Sequence, residues 1–325
     1  MMGTNMWVRW VGFGVAGLVF AAACQAQQWP SKPLRLLHGF GPGSAVDTSA
    51  RIMTAPMSEL LGQPFIVDAR PGAGGTMAAR IVARGEPNGY TLYLMISGHA
   101  VAASLYRNLP YDSVRDFSAI ALMAGTPFVL AVDGKDTVRN VADLVKLARE
   151  QPGRLDYATG GVGTGTHLAA ALMQSRLGIR WNHVPYRGAN TVTALTSGEV
   201  RFLVGTPAGI MGLASSGRIR PIAVTTAKRL SIWPDVPTVS ETVLAGFDAT
   251  GWFILAAPRG LPAPIAAKLY EVTAASLRRS EVVDKLLQTG TVVVLQPPLP
   301  AQNFLKAEVA RWAQVVRDEK IPPQD

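Results

Sequence analysis

The sequence has one cysteine, four histidines and little charge. Of its 325 residues, 16% are Asp, Glu, Lys or Arg and 7% are aromatic. A single cysteine excludes a disulfide framework within the chain and a cysteine-rich zinc site. Low charge beside a 48% hydrophobic fraction excludes a disordered chain. The 32 glycines and 23 prolines follow no triplet period, so a collagen helix is excluded too. No repeat is legible at solenoid spacing. What the chain does have is length for two domains and a net charge of +9. No basic block accompanies that charge. Arg278-Arg279 is a pair, and the remaining Lys and Arg are spread. The excess suits either a generally basic surface or attraction of a small anion, and argues against nucleic acid.

The N-terminus reads as an export signal. Arg9 is the only charge before Gln25, and an apolar run from Val11 to Ala23 follows it. That run is short for a membrane span, and small residues close it. The pattern predicts a signal peptide over residues 1–26, cleaved after Ala26. A lipid anchor at Cys24 is the alternative. Cleavage would remove the cysteine and one positive charge. No later apolar run is long enough for a span, so a periplasmic protein is expected.

Beyond the signal, short β-branched runs alternate with helical patterns. Leu34–His38, Phe65–Asp68 and Tyr90–Ile96 read as strands. Val46–Leu61 has apolar residues at three-to-four spacing, and Gly62 stops it. Thr76 is placed to cap a helix running to Val82. A second unit opens at Phe128–Val132. It continues through helix Val141–Glu150, strand Asp156–Thr159, helix His167–Leu177, strand His183–Tyr186, helix Thr191–Ser197, and strands Val200–Val204 and Ile219–Thr225. Gly251–Ala256 is strand-like. Pro264–Arg278 and Phe304–Asp318 read as helices. This rhythm predicts an α/β layered fold with largely parallel sheets.

Three glycine-rich turns lead from strand to helix, at 39–44, 72–75 and 160–166. Such turns aim backbone N–H groups at a ligand from a helix N-terminus, a setting suited to carboxylate or phosphate. They are also how any α/β fold turns. None of these three turns has the glycine spacing of a dinucleotide fingerprint. Gly160 and Gly165 have P-loop spacing, but Thr166-His167 stand where Lys-Ser/Thr belongs. His38, His99, His167 and His183 show no metal-ligand spacing. Ser97 follows a strand but lacks the G-x-S-x-G elbow of a hydrolase nucleophile. No paired carboxylates stand out, and Asp47 reads most simply as a first-turn acid. No motif here points to catalysis, a metal or a nucleotide cofactor.

Several segments carry a resemblance. They are Trp29–Leu36, Gly39–Asp47, Asp68–Gly75, Pro87–Leu92, Leu109–Asp112 with Asp116-Phe117, Val184–Gly188, Ala223–Arg229, Pro234–Thr238 and Gly251–Phe253. Asp68-Ala-Arg-Pro-Gly-Ala-Gly-Gly75 is similar to the N-R-P-G-A-G-G turn of the Bug-type (TctC-like) receptors of tripartite tricarboxylate transporters. The resemblance covers the chain beyond the signal. It implies a two-domain periplasmic-binding-protein fold, type II-like, with a ligand cleft between lobes and two crossing hinge strands. Carried onto this numbering, domain 1 is 29–125 plus 252–325 and domain 2 is 126–251, with hinge strands near 125–130 and 248–254. The implied ligand is a small organic carboxylate, and the implied partners are integral membrane subunits of the transporter. A monomer is expected.

By the same resemblance, the ligand-binding residues are Phe40, Gly43, Ser44, Asp47, Ser97 and His99. From the second domain they are Thr164, Gly165, Thr166, His167, Arg187, Gly205 and Thr206. Two departures bear on specificity. The family often carries an Asp where this chain has Gly205-Thr206, which removes a partner for a ligand's amino group. Small Gly205 suggests room for a bulkier ligand. Gly41 and Ser44 also replace a common Pro and Gly, which makes an aromatic carboxylate credible. A ligand-loaded partner of a signalling receptor, and a serine hydrolase, are the alternative functions.

Overall fold

The structure is a computed structural model that describes residues 29–186, 190–318, 320, 321 and 323. The predicted signal peptide with Cys24, and Arg187, lie outside the described residues. The first elements are β1 (Leu34–His38), α1 (Ala45–Leu61), β2 (Phe65–Ala69), α2 (Thr76–Ala83), β3 (Thr91–Ile96), α3 (Ser97–Leu105) and β4 (Phe117–Thr126). There follow β5 (Val129–Asp133), α4 (Val141–Glu150), β6 (Asp156–Thr159), α5 (Gly165–Leu177), β7 (Asn182–Pro185) and α6 (Asn190–Thr196). The next are β8 (Phe202–Gly205), α7 (Pro207–Ser215), β9 (Ile219–Val224) and α8 (Val239–Thr242). The chain closes with β10 (Gly251–Pro258), α9 (Ala263–Leu277), α10 (Ser280–Gln288), β11 (Val292–Gln296) and α11 (Pro298–Asp318).

These strands form two sheets. The first has the order β11-β4-β10-β3-β1-β2, and the second β7-β6-β8-β5-β9. Both are mixed, which corrects the largely parallel sheets expected. β1 pairs parallel with β2 and β3, whereas β10 runs antiparallel to both β3 and β4. In the second sheet β6 pairs parallel with β7 and β8, and β5 is antiparallel to β8 and β9. The reason is the route of the chain. Strands linked by a helix return in the same sense, but β4, β5 and β10 adjoin passages between sheets and need no crossover.

Each sheet buries its own apolar set. Leu37, Met95, Ile254 and Trp312 belong to the core of the first. The second is covered on both faces. Leu130, Tyr157, Phe202 and Phe247 pack on one side, and Val129, Ala158, Leu203 and Ile210 on the other. Neighbouring residues of one strand serve opposite faces because strand side chains alternate. Burying each such side chain contributes about 1.5–3 kcal/mol. The last helix is fixed by a buried carboxylate. Trp252 on β10 and Trp312 on α11 both donate an indole N–H to Glu308 Oε2, each at 2.9 Å.

The chain leaves the first sheet after Thr126 and enters the second at Val129; it returns at Gly251. The two passages lie side by side, joined by one threonine. The Thr225 hydroxyl accepts from the Phe128 N–H at 3.1 Å and donates to the Ala249 carbonyl at 2.8 Å. Backbone bonds run from Thr225 N–H to Phe128 O at 2.9 Å and from Ala249 N–H to Thr225 O at 3.0 Å.

Several local expectations are corrected. Gly75, in the left-handed region at φ 97°, holds the cap position of α2, so Thr76 is its first helical residue. α5 begins at Gly165 rather than His167, because Thr164 accepts the His167 N–H and so takes the cap position. Ser97–Ala100, for which the sequence predicts no helix, is the first turn of α3. No helix among the described residues is long and apolar enough to cross a membrane.

Candidate functional site

The first loop is held by Asp47. Ser44 caps α1, accepting the Asp47 N–H at 3.2 Å. The Asp47 carboxylate is buried and receives three partners. Gly43 N–H donates at 3.1 Å, His38 Nε2 lies at 3.0 Å, and Arg51 Nε donates at 3.0 Å. Burial alone pushes the carboxyl pKa up. The bonds from Arg51, Gly43 and His38, with the Arg51 charge, outweigh it and hold the pKa at about 2. Gly43 turns the loop at φ 75°, a conformation that favours glycine. Phe40 is half-buried, and its N–H lies 3.4 Å from His38 Nδ1.

The second and third glycine turns close on the same place. A Cβ on Gly39 would overlap the Cα of Gly75, so the first and second turns touch backbone to backbone. A Cβ on Gly98 would lie 3.5 Å from Gly163 O and 3.6 Å from Gly74 O. One on Gly163 would lie 2.6 Å from Leu105 Cδ2, and one on Gly165 would lie 2.8 Å from Ser97 Oγ. The first turn of α3 therefore stands between the glycine turn of the first sheet and that of the second. Ser97 through Ala100 are all buried, and no side chain caps the helix, whose cap position is occupied by Ile96. A buried helix start needs acceptors for its free N–H groups. Without a side-chain cap, it invites an anion.

The third turn is braced by its own side chains. Thr164 Oγ1 donates to Gly161 O at 2.7 Å, so the Thr166 hydroxyl, 3.0 Å away, is the donor to Thr164. The Gly163 N–H donates to His167 Nδ1 at 3.3 Å. That bond places the proton of a neutral imidazole on Nε2. Burial pulls the His167 pKa down to about 4. Its ring stacks on His183 at 4.1 Å, and His183 Nε2 lies 2.7 Å from the Thr159 hydroxyl. Burial, and then His167, lower the His183 pKa to about 3.

His99 is buried, as Ser97 is. Its Nε2 donates to Ser113 O at 2.9 Å, and its ring stacks on Tyr111 with Phe117 edge-on. Burial pulls its pKa down to about 4, against the upward pull of the Ser113 bond.

Gly205 and Thr206 precede α7, beside a turn of the first sheet, where a Cβ on Gly290 would overlap Pro207. Gly205 is half-buried, and a Cβ there would meet Leu203 Cδ1 at 3.1 Å and Ile210 Cγ2 at 3.7 Å. Arg187 lies outside the described residues. Two residues near the convergence carried no sequence signal: Phe128, whose ring lies against Gly165, and Tyr106, whose OH lies 3.1 Å from a Cβ on Gly74. Among the described residues no group of three or more His, Cys, Asp or Glu is placed to hold a metal. A polar hollow of about 910 Å³, lined by Asp156, Glu199 and Arg201 among others, lies at the opposite end of the second sheet.

The glycine turns converge, and comparison with known proteins decides the family. Residues 49–321 match the tripartite tricarboxylate transporter family receptor. The chain belongs to this receptor family. It is 33% identical over 322 residues to a protein from the tcbD-tcbE intergenic region of Pseudomonas sp. (strain P51), across 98% of this chain and 96% of that one. It is 30% identical over 311 residues to Bordetella pertussis BugT, across 95% of each. Among solved structures, R. palustris Rpa4515 with adipate superposes with a TM-score of 0.84 at 34% identity, covering 91% of this receptor and 100% of that chain. MatC of Rhodopseudomonas palustris with bound malate gives 0.79 at 30% identity, covering 89% and 100%. This is a Bug-type, TctC-like solute-binding receptor, of a family of periplasmic binding proteins.

Proposed function

We propose that this receptor closes on a small organic carboxylate and delivers it to the integral membrane subunits of a tripartite transporter. The observation that carries this reading is the buried, uncapped start of α3, set between glycine turns of both sheets. Backbone N–H groups there suit one carboxylate end. The second end meets backbone N–H groups at the start of α5. Rpa4515 with adipate and MatC with malate, both similar over nearly the whole chain, favour a carboxylate of that size.

In this reading the lobes are 29–125 plus 252–325 and 126–251, and the paired passages at Phe128 and Ala249 are the hinge. The ligand bridges both lobes, so its contacts favour the closed form. Residues 1–26 export the chain, which acts as a monomer. Gly205-Thr206 offers no carboxylate to a ligand's amino group, so amino acids are poor ligands.

A thermal-shift series with adipate, malate, phthalate, glutamate and aspartate tests this. One of the first three, at 100 times its dissociation constant, adds about 2.7 kcal/mol of stability. Tight binding of glutamate or aspartate sinks the amino-acid exclusion. Silence from every carboxylate sinks the reading itself.

A further inference from the structure

Phe128 lies in the first passage between the sheets, and its backbone is pinned. Its N–H donates to Thr225 Oγ1 at 3.1 Å, and its carbonyl accepts the Thr225 N–H at 2.9 Å. The ring is 6% exposed. It meets two glycines from different parts of the chain. A Cβ on Gly251, the first residue of β10, would lie 2.7 Å from the ring Cζ. A Cβ on Gly165, the first residue of α5, would overlap that same Cζ and lie 3.0 Å from Cε2. Ser97 Oγ, at the start of α3, lies 2.8 Å from that same Gly165 position.

One rigid ring thus touches the return passage and the start of α5, at the same Gly165 position that Ser97 Oγ of α3 approaches. At both glycine contacts the missing Cβ leaves no slack. Close-packed interiors transmit displacement through such contacts. We propose that Phe128 is a positioning residue that sets the separation of the α3 and α5 N-termini and couples it to the angle between the two passages. The inference rests on the carboxylate-receptor reading for its purpose, though not for its geometry. Phe128 contributes no polar group to the ligand. It holds the N–H groups of α5 at the distance from Ser97 that a bridging ligand requires, and any rotation at the passages moves the ring and α5 together.

Spin labels on Arg84→Cys and Lys146→Cys, in a chain carrying Cys24→Ser, report the distance between the sheets. In the ligand-free protein, Phe128→Ala is expected to shift or broaden that distance distribution. Affinity for whichever of adipate or malate stabilises the parent protein is expected to fall tenfold or more, with Phe128→Leu intermediate. Gly251→Ala, which presses on the ring, is expected to shift the distribution too. Combined with Phe128→Ala it should be largely relieved, because contacting residues are not additive. A merely structural ring would lower the melting temperature while leaving distances and affinity unchanged, and that result overturns the proposal. If Phe128→Ala does not fold, Phe128→Leu and Gly251→Ala decide by the same distances. If the parent protein binds neither acid, the carboxylate reading fails by itself, and the ligand-free distances still decide the role of the ring.

Discussion

Three groups meet the Asp47 carboxylate, and each comes from a different part of the first loop. His38 precedes the turn, Gly43 lies within it, and Arg51 follows in α1. Asp47→Ala should therefore release the whole turn. Expected is a loss of about 2 kcal/mol or more in chemical denaturation, since hydrogen bonds to a charged group are lost together, with weaker carboxylate binding. Because the folded carboxyl titrates at about 2, below its ordinary 3.8, its contribution is present above pH 4 and lost as pH falls from there toward 2. The histidines act in a higher window. An unfolded His99 takes a proton near 6.5, and the folded one only near 4. Between those values the unfolded chain binds more protons, so stability falls as pH falls. Denaturation at pH 7, 6 and 5 should show this slope, and His99→Gln should reduce it by about 1.4 kcal/mol per pH unit. A slope left intact in that variant would remove His99 from the account. Asp47 is readable in the sequence as a first-turn acid. The seat of His99 is not, because Tyr111 and Phe117 reach it only through tertiary packing.

At the scale of elements, the sequence marks those with local chemistry. Helix 141–150 has an Asn140–Asp143 capping box, α1 has Ser44 before it and Gly62 after it, and all three are legible from residue type and spacing. α3 has neither cap nor stop signal. Ile96 precedes it and Tyr106 follows, so nothing local announces a helix. That silence and its proposed function have one physical cause, since a helix that leaves its N–H groups for a ligand has no cap residue to read. The three glycine turns were visible individually. Their convergence was not, because the Gly39–Gly75 and Gly98–Gly163 approaches join distant parts of the chain. Gly39→Ala tests the tightest of them. A side chain there overlaps the Gly75 backbone, and a cost of about 1–3 kcal/mol is expected with loss of ligand-induced stabilisation. Glu308→Ala tests the anchor of α11. It leaves two buried indole N–H groups without their acceptor, and a loss of about 2 kcal/mol or more is expected in urea denaturation.

At the scale of the whole molecule, β10 lies between β4 and β3, although all of the second sheet's strands are made before it. Gly251 pairs with Thr126 and Phe253 with Ile96 across that long intervening stretch. The second sheet, by contrast, is one uninterrupted run from β5 to β9. Such a layout orders the assembly of the chain. The second sheet can complete itself as soon as its run is available, whereas the centre of the first must wait for the C-terminal quarter. Long-range pairing of this kind makes folding slow. The first sheet is therefore two separate pieces, β3-β1-β2 and β4, until β10 joins them, so its two halves share no strand pairing of their own.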